Sequence, residues 1–196
     1  MTKIVQGPNT VLSTIAAPIK KIDKSVKNLL KDMEVALASA TDPEGVGLAA
    51  PQIGKSLQIF IVKENPEAIL KIFINPKIEK FIDKPSIKKV AHQSKTTAAV
   101  KKKAGIEKGV QLEGCLSLQD IWGVVKRADE LVLSYQDETG KNHKRTFDGF
   151  LSVIIQHEVD HLNGILFPKR VLEQNEKLYK SIKNKKGETE FEELEI

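Results

Sequence analysis

The sequence predicts an α+β fold, in which helices and mainly antiparallel strands occupy separate runs of the chain. Apolar residues recur at helical spacing in two stretches, residues 22–40 and 150–161, and strand-like stretches lie between them. Asp-Glu-Thr-Gly at 137–140 separates two of these strands, and such a turn is typical of an antiparallel hairpin. A chain of 196 residues can bury one good hydrophobic core, so we expect a single domain over residues 1–196.

The individual elements are predicted in chain order. Ile22–Ala40 is expected to be an amphipathic helix with Asp23 as its N-cap, and Asp42-Pro43 would end it. Strands are predicted in four stretches: Leu57–Val62, Ile72–Ile74, Glu130–Gln136 and His143–Phe147. The chain is then expected to finish with a basic helix, Glu173–Asn184, and an acidic C-terminal tail over residues 185–196.

Composition and charge limit the classes of protein to which the chain can belong. The net charge of +5 and the sequence pI of about 9.1 leave acidic partners open. No apolar run is long enough to span a membrane, and Met1 is not followed by the apolar core of a signal peptide. The one cysteine, Cys115, cannot form an intramolecular disulfide, which fits a reducing compartment. We therefore expect a cytoplasmic protein without membrane contact.

The segment Gln-His-Glu-Val-Asp-His at 156–161 places His157 and His161 four residues apart. On a helix these positions share one face, so both imidazole rings can reach one metal ion, such as zinc or ferrous iron. Glu158 lies about 100° further round, where its carboxylate can accept a proton from a water molecule beside the metal. Asn163-Gly164 predicts the end of this helix. Toward the start of this helix, the face that carries the two histidines continues with apolar residues: Phe150, Val153 and Ile154.

A catalytic metal site needs a third protein ligand and one open position. Cys115, in Glu-Gly-Cys-Leu-Ser at 113–117, offers a thiolate, and the glycine before it permits a close approach of the backbone. Structural alternatives stay open at this point. A cysteine also suits a small buried apolar position, and the two histidines also suit a helix on which they only cap or pack. Asp160 can orient a ligand or face solvent.

A glycine-rich stretch, Gly45–Gly54, lacks the spacing of a dinucleotide-binding or phosphate loop, which argues against nucleotide binding. Its small residues suit tight backbone packing near a site. Gln52 is the only side chain within this stretch that can donate a hydrogen bond to a developing oxyanion. On composition alone, a purely structural turn is the favoured interpretation.

Three segments, in this order along the chain, resemble the signature motifs of the peptide deformylase family: Gly-Val-Gly-Leu-Ala-Ala-Pro-Gln, Glu-Gly-Cys-Leu-Ser and Gln-His-Glu-Val-Asp-His. The resemblance covers most of the chain, including Ile74-Asn75-Pro76 and the exit from the metal helix at 164–167. It implies a peptide deformylase-like fold with mainly antiparallel strands around a central metal-binding helix. It also implies a metal-dependent hydrolase that removes the N-formyl group from the N-terminal formylmethionine of newly made polypeptides and releases formate.

The resemblance implies a role for each matching residue. One divalent metal ion, Fe²⁺ as is usual in the family or else Zn²⁺, Ni²⁺ or Co²⁺, would have three ligands: Cys115, His157 and His161. Glu158 would act as general base and general acid, while Gln52 and the backbone N–H of Leu116 would hold the oxyanion. The N-formylmethionyl peptide would be bound by six further residues: Val46, Gly47, Glu113, Phe150, Val153 and Ile154.

The chain departs from the family pattern in three places. Leu118-Gln119 stands where the family often has a hydrophobic residue and proline, and Trp122 stands where compact bacterial members have an arginine. A later family arginine is matched by Arg127. The third departure is a longer spacer, whose extra length is lysine-rich and falls at residues 80–111. We expect a solvated insertion there, with electrostatic contact to ribosomal RNA as the functional alternative, and a monomeric enzyme.

Two rival functions are open to the same residues. A conventional zinc endopeptidase would need a further histidine or carboxylate ligand after His161, and Glu173 and Glu176 lack the motif that would supply it. A catalytically silent homologue that binds ribosomes or RNA would not need the complete set of ligands and base. The sequence therefore favours the deformylase, with the single domain as its catalytic domain.

Overall fold

The structure is a computed structural model that describes residues 3–40, 44–82, 112–184 and 186–195. Most of the lysine-rich insertion predicted at 80–111 lies outside the described residues, and so does the helix stop predicted at Asp42-Pro43. Within the described residues the chain divides into two compact units. The prediction of a single catalytic domain stays a prediction.

The first unit combines two α-helices with a five-stranded antiparallel sheet. The helices are α1 (Lys24–Ser39) and α2 (Gly149–Leu162). Neighbouring strands in the sheet follow the order β1 (Gly47–Ala49), β2 (Ile59–Val62), β3 (Lys71–Ile82), β6 (Glu130–Gln136) and β7 (Asn142–Asp148). The predicted hairpin is confirmed, because β6 and β7 pair from Glu130↔Asp148 to Gln136↔Asn142.

Helix α1 forms where its cap and its apolar spacing predict. The side chain of Asp23 accepts hydrogen bonds from the backbone N–H groups of Ser25 and Val26, at 2.8 and 3.2 Å, which satisfies two donors of the first turn. The buried positions fall on one face: Val26, Leu29, Leu30, Met33, Ala36 and Leu37. The predicted helix is confirmed, with ends at Lys24 and Ser39.

Strand β3 is longer than the predicted strand Ile72–Ile74 because it continues through Asn75 to Ile82. Asn75 has a positive φ of 49°, and the register with β6 shifts just after Ile74. The Asn75 side chain bonds both backbone groups of Ile19, accepting from its N–H at 2.7 Å and donating to its carbonyl at 2.8 Å. The irregularity thus ties the segment before α1 to the sheet.

The core of the first unit lies where α2 packs on the sheet. The helix contacts β1, β2, β6 and β7. Phe60 and Phe73 stack beneath it with ring centroids 4.6 Å apart, and they share one cluster with Ile154, Ile155 and Leu162 of the helix. Mainly antiparallel strands around a central helix are therefore confirmed as the fold class.

The second unit contains a four-stranded antiparallel sheet and the short helix α3 (Phe167–Glu173). The sheet has the order β4 (Glu113–Cys115), β5 (Leu118–Gly123), β8 (Leu178–Lys183) and β9 (Thr189–Glu193). No helix in the described ranges is long and apolar enough to cross a membrane.

The predicted basic helix Glu173–Asn184 is wrong. Helix α3 ends at Glu173, and Asn175 follows it with a positive φ of 54°, a conformation that stops a helix. Leu178–Lys183 is strand β8, which pairs with β5 and β9. The acidic stretch contains β9, and Lys177 on the β8 side meets Glu193 at 2.7 Å. Pairing across the sheet therefore overrides the helix propensity of the lysines.

Candidate metal centre

Helix α2 positions the paired histidines and ends as predicted. The backbone N–H of Gly164 donates to the carbonyl of His161 at 3.1 Å, and Gly164 has a positive φ of 68°. A Cβ at this position would lie 2.7 Å from backbone atoms of Ser13, so a larger residue would be strained and would also collide. Asn163-Gly164 is confirmed as the end of the helix.

Cys115, His157 and His161 form a group whose potential ligand atoms all lie within 4.8 Å of one another. Cys115 is 5% exposed and His161 is buried, while His157 is half-buried with its ring centroid 4.9 Å from that of His161. Neighbouring ligands of a tetrahedral ion with one sulfur and two nitrogen donors lie about 3.4–3.6 Å apart. The soft-to-borderline donor set therefore suits one divalent metal ion, and three protein ligands are the number that a catalytic zinc-type site uses.

The carboxylate of Glu158 lies against the backbone of β1. Glu158 is 3% exposed, and the group of three potential ligands does not include it. A Cβ added to Gly47 would collide with the Glu158 carboxylate and would lie 2.9 Å from Cγ2 of Ile154. Only glycine at position 47 leaves this carboxylate its space.

The glycine-rich stretch forms β1 and then one turn of 3-10 helix, Ala50–Ile53, which Gly54 ends with a positive φ of 78°. Gln52 is buried in this turn, and its Oε1 accepts the N–H of Ala49 at 2.8 Å. That bond orients the amide and leaves Nε2 as its donor end.

The turn from β4 to β5 holds Leu116 and Ser117. Leu116 is half-buried and Ser117 is buried. The backbone N–H of Ser117 donates to Sγ of Cys115 at 3.4 Å, which favours a negatively charged sulfur. Sequence reasoning did not anticipate this contact.

Asp160 points into the protein, where it pairs with Arg127. Nη1 of Arg127 lies 2.6 Å from Oδ2 of Asp160, and the two side chains are 7% and 8% exposed. Of the two alternatives for Asp160, exposure to solvent is therefore excluded. The ion pair anchors α2 at the residue immediately before His161.

A second anchor on α2 was missed by sequence reasoning. Gln156 pairs with both backbone groups of Ala128: its Oε1 accepts the N–H at 3.1 Å and its Nε2 donates to the carbonyl at 2.9 Å. The hydroxyl of Ser152 donates to the same carbonyl at 2.9 Å. Polar side chains four residues apart on a buried helix must find partners, and that spacing was the signal available in the sequence.

Replacing Arg127 with methionine is expected to destabilise the protein strongly, because it leaves Asp160 charged and buried without its partner. We expect the free energy of unfolding to fall by about 3–5 kcal/mol. The matched control is Arg170→Met, which removes the half-exposed pair Arg170–Glu173 (3.0 Å, side chains 32% and 43% exposed). It should cost less than about 1 kcal/mol in the same urea titration. Equal losses in the two variants would show that burial does not strengthen the Arg127 pair.

Some of the residues predicted to bind substrate lie in one apolar group in the structure. Val46 and Phe150 pack as half-buried side chains against the cluster that contains Ile154, and Val153 is half-buried on the same helix. Glu113 is half-buried on β4, where it pairs with Gly123. Trp122 pairs with Gly114 and covers it.

Similarity to known proteins extends over most of the chain. A family model described as polypeptide deformylase matches residues 1–177. Peptide deformylase 1 of Bacillus cereus is 36% identical over 177 residues, covering 89% of this chain and 96% of that protein. Peptide deformylase 2 of Prochlorococcus marinus is 36% identical over 171 residues, covering 86% of this chain and 72% of that protein. The crystal structure of a Synechococcus elongatus peptide deformylase in complex with actinonin superposes with a TM-score of 0.68 at 31% identity, covering 88% of this chain and 81% of that one.

Proposed function

Because the chain belongs to the polypeptide deformylase family, whose reaction is hydrolysis of the N-formyl group, we propose that one divalent metal ion held by Cys115, His157 and His161 supports this hydrolysis. The observation that carries the proposal is the convergence of one sulfur and two imidazole donors within 4.8 Å. The ion we propose is Fe²⁺, with Zn²⁺, Ni²⁺ and Co²⁺ as alternatives, since thiolate and imidazole suit all four.

The proton transfers are assigned to Glu158. When bound, the metal ion supplies a Lewis acid that polarises the formyl carbonyl and acidifies water. The Glu158 carboxylate takes the proton of the attacking water and then delivers it to the leaving nitrogen, so that formate and a free amine result. Burial and the contact with Gly47 support this role, because they restrict the carboxylate to one position.

Two hydrogen-bond donors are assigned to stabilise the negative charge that develops on the formyl oxygen: Nε2 of Gln52 and the backbone N–H of Leu116. Ala49 supports the first assignment, because its N–H occupies the oxygen end of the Gln52 amide. A donor held before the reaction begins stabilises a developing oxyanion without reorganisation, which is worth about 3–4 kcal/mol per donor in enzymes of this general kind.

The methionine side chain is assigned to the apolar group Val46, Phe150, Val153 and Ile154, while Gly47 and Glu113 contact the peptide. An unbranched, flexible side chain suits such a lining. Ile154 belongs to the core cluster of the first unit, and Val46 and Phe150 pack against that cluster, which supports the assignment.

The experiment that tests this function compares formylated peptides that differ only at the first residue. Formyl-Met-Ala-Ser should be deformylated with a kcat/KM about 10–100 times that of formyl-Asp-Ala-Ser, because burial of the methionine side chain contributes roughly 1.5–3 kcal/mol. Acetyl-Met-Ala-Ser should be a poor substrate, since a methyl group must fit where the formyl hydrogen lies. Formate release is the measurement. Internal cleavage of an unformylated peptide would favour the endopeptidase, and binding without turnover would favour the silent homologue.

Replacing Gly47 with alanine is expected to lower kcat by about 100-fold, because displacement of a catalytic group by an ångström has effects of that order. The added methyl would occupy the space of the Glu158 carboxylate, whereas the three proposed ligands would be untouched. Metal content should therefore stay at the wild-type level. Gly187→Ala serves as the control for kcat: its positive φ of 77° strains alanine, but no atom lies within 4 Å of the added methyl and the position is outside the proposed site. Wild-type kcat in Gly47→Ala would mean that the Glu158 position is not critical.

Two partner predictions from the sequence stay predictions. Contact with the ribosome through the lysine-rich segment 80–111 depends mainly on residues outside those the structure describes. The monomeric state also stays a prediction.

A further inference from the structure

The strand that bears Cys115 belongs to a sheet that a C-terminal hairpin completes. Strands β8 and β9 lie beyond residue 177, where the match to the family model ends. Strand β8 nevertheless pairs directly with β5, in the register Ile121↔Lys180, Trp122↔Tyr179 and Gly123↔Leu178. Strand β5 therefore lies between β4, which bears Cys115, and the β8–β9 hairpin.

Strand β4 depends on packing because its own ladder is short. It has three residues and lies at the edge of the sheet. Its register with β5 shifts between Gly114 and Cys115: Gly114 pairs with Trp122, whereas Cys115 pairs with Leu118. An edge strand with so few regular bonds is held mainly by the side chains on its two faces.

One face of the sheet buries Cys115 against the hairpin. Cys115 shares a cluster with Phe167, Val171 and Leu178, and Leu194 packs against that cluster. The backbone N–H of Leu194 donates to the carbonyl of Leu178 at 2.9 Å, which ties the end of the hairpin to β8. The hairpin thus contributes directly to the apolar surroundings of the thiol.

The opposite face carries an aromatic clamp, which we define as Trp122, Tyr179 and Phe191. A Cβ added to Gly114 would lie 2.8 Å from Cε3 and from Cζ3 of Trp122, so the indole fills the space beside this glycine. Phe191 of β9 meets the indole edge-on, with centroids 6.0 Å apart and an interplanar angle of 78°. Because side chains alternate along a strand, the clamp presses on β4 from the face opposite the Cys115 side chain.

We propose that the aromatic clamp is a positioning device that holds Cys115 in the geometry of a metal ligand, with Trp122 and Phe191 as its positioning residues. The inference rests on the proposed function, in which Cys115 binds the metal. It gives Trp122 a role on the face of β4 opposite the Cys115 side chain. It also gives the hairpin beyond the family match a part in metal binding.

The test uses the full chain with Phe191→Ala and Trp122→Ala. Both variants should raise the rate at which the metal-free Cys115 thiol reacts with an aromatic disulfide reagent, by about tenfold. Both should weaken Co²⁺ binding by about tenfold, as the loss of groups that orient a ligand typically does. They should also reduce the thiolate-to-cobalt absorption relative to the bound Co²⁺. Trp122→Phe retains a ring over Gly114, so thiol reactivity, Co²⁺ affinity and the thiolate-to-cobalt absorption should all stay near their wild-type values.

The matched control is Phe147→Ala in the first unit. Phe147 makes a comparable edge-on contact with Phe73, with centroids 5.7 Å apart and an angle of 73°. Its loss should lower stability and leave thiol reactivity and Co²⁺ affinity unchanged. A second check is Gly114→Ala, which should weaken Co²⁺ binding in the wild-type background and do so less in the Trp122→Ala background, where the indole is gone.

The two possible failures are distinguishable. If bound Co²⁺ does not protect the wild-type thiol from the reagent, Cys115 is not a ligand and the inference fails together with the proposed function. If Co²⁺ protects the thiol but Phe191→Ala and Trp122→Ala behave like Phe147→Ala, the proposed function stands and the clamp is overturned.

Discussion

Replacing Glu158 with glutamine is expected to lower the deformylation rate by about 100-fold or more while the metal stays bound. Glutamine has nearly the same shape, so the close contact with Gly47 survives, but the amide cannot take a proton from water. The group of three potential ligands does not include Glu158, so Glu158→Gln leaves all three proposed ligands in place. The measurement pairs kcat on formyl-Met-Ala-Ser with metal content of the same preparation.

A control for the loss of a carboxylate is Glu130→Gln, which changes a half-buried glutamate at the start of β6 in the same unit. It should leave kcat within about twofold of wild type, since it lies outside the proposed proton path. If the metal content of Glu158→Gln fell in step with its activity, Glu158 would be a structural group or a ligand, and the base would have to be sought elsewhere.

Replacing Cys115 with serine is expected to weaken metal binding and slow deformylation by more than about 100-fold, an effect larger than that of altering a group that only orients a ligand. A hydroxyl is a harder and weaker donor than a thiolate for Fe²⁺, Zn²⁺, Ni²⁺ or Co²⁺. No intramolecular disulfide is lost, because Cys115 is the only cysteine of the chain. Metal content and formate release should be measured on protein prepared without oxygen.

Folding must be separated from binding in this experiment. Cys115 lies in an apolar cluster with Phe167 and Val171, where a hydroxyl without its hydrogen bonds would cost about 1–3 kcal/mol. The unfolding free energies of the metal-free proteins should therefore be compared first, with Cys115→Ala as the variant that lacks both donor and hydroxyl. Full occupancy and full activity in Cys115→Ser would remove Cys115 from the coordination sphere.

The rate at which the wild-type enzyme loses activity in air is expected to depend on the bound metal. Ferrous iron and a thiolate such as the ligand proposed at Cys115 can both be oxidised, so protein loaded with Fe²⁺ should lose activity in air. Protein reconstituted with Ni²⁺ or Co²⁺ should lose activity more slowly under the same conditions. Equal rates of loss for all three metals would place the sensitive group outside the metal centre.

Local signals in the sequence were sufficient for the elements that depend on neighbouring residues. The cap Asp23 with an apolar repeat predicted α1, the turn at 137–140 predicted the β6–β7 hairpin, and Asn163-Gly164 predicted the end of α2. In each of these cases, residues within a few positions of one another make the hydrogen bonds that define the element. The motif order further identified the family, which the comparisons confirmed.

Only the tertiary structure decided the features that depend on residues far apart in sequence. Leu178–Lys183 became a strand because β5 and β9 offer it a ladder, although its lysines also favour a helix. Asp160 turned inward because Arg127 lies across from it, which the helical period alone does not specify.

The site shows the same division. The sequence by itself determined which residues carry suitable chemistry: a thiol, two imidazoles on one helical face, and a carboxylate beside them. The tertiary structure brought the sulfur within 4.8 Å of both imidazoles, placed the Glu158 carboxylate against Gly47, and placed Trp122 beside Gly114. Residue type and local spacing are encoded position by position, whereas these contacts depend on strand register and packing between segments that are distant in the chain.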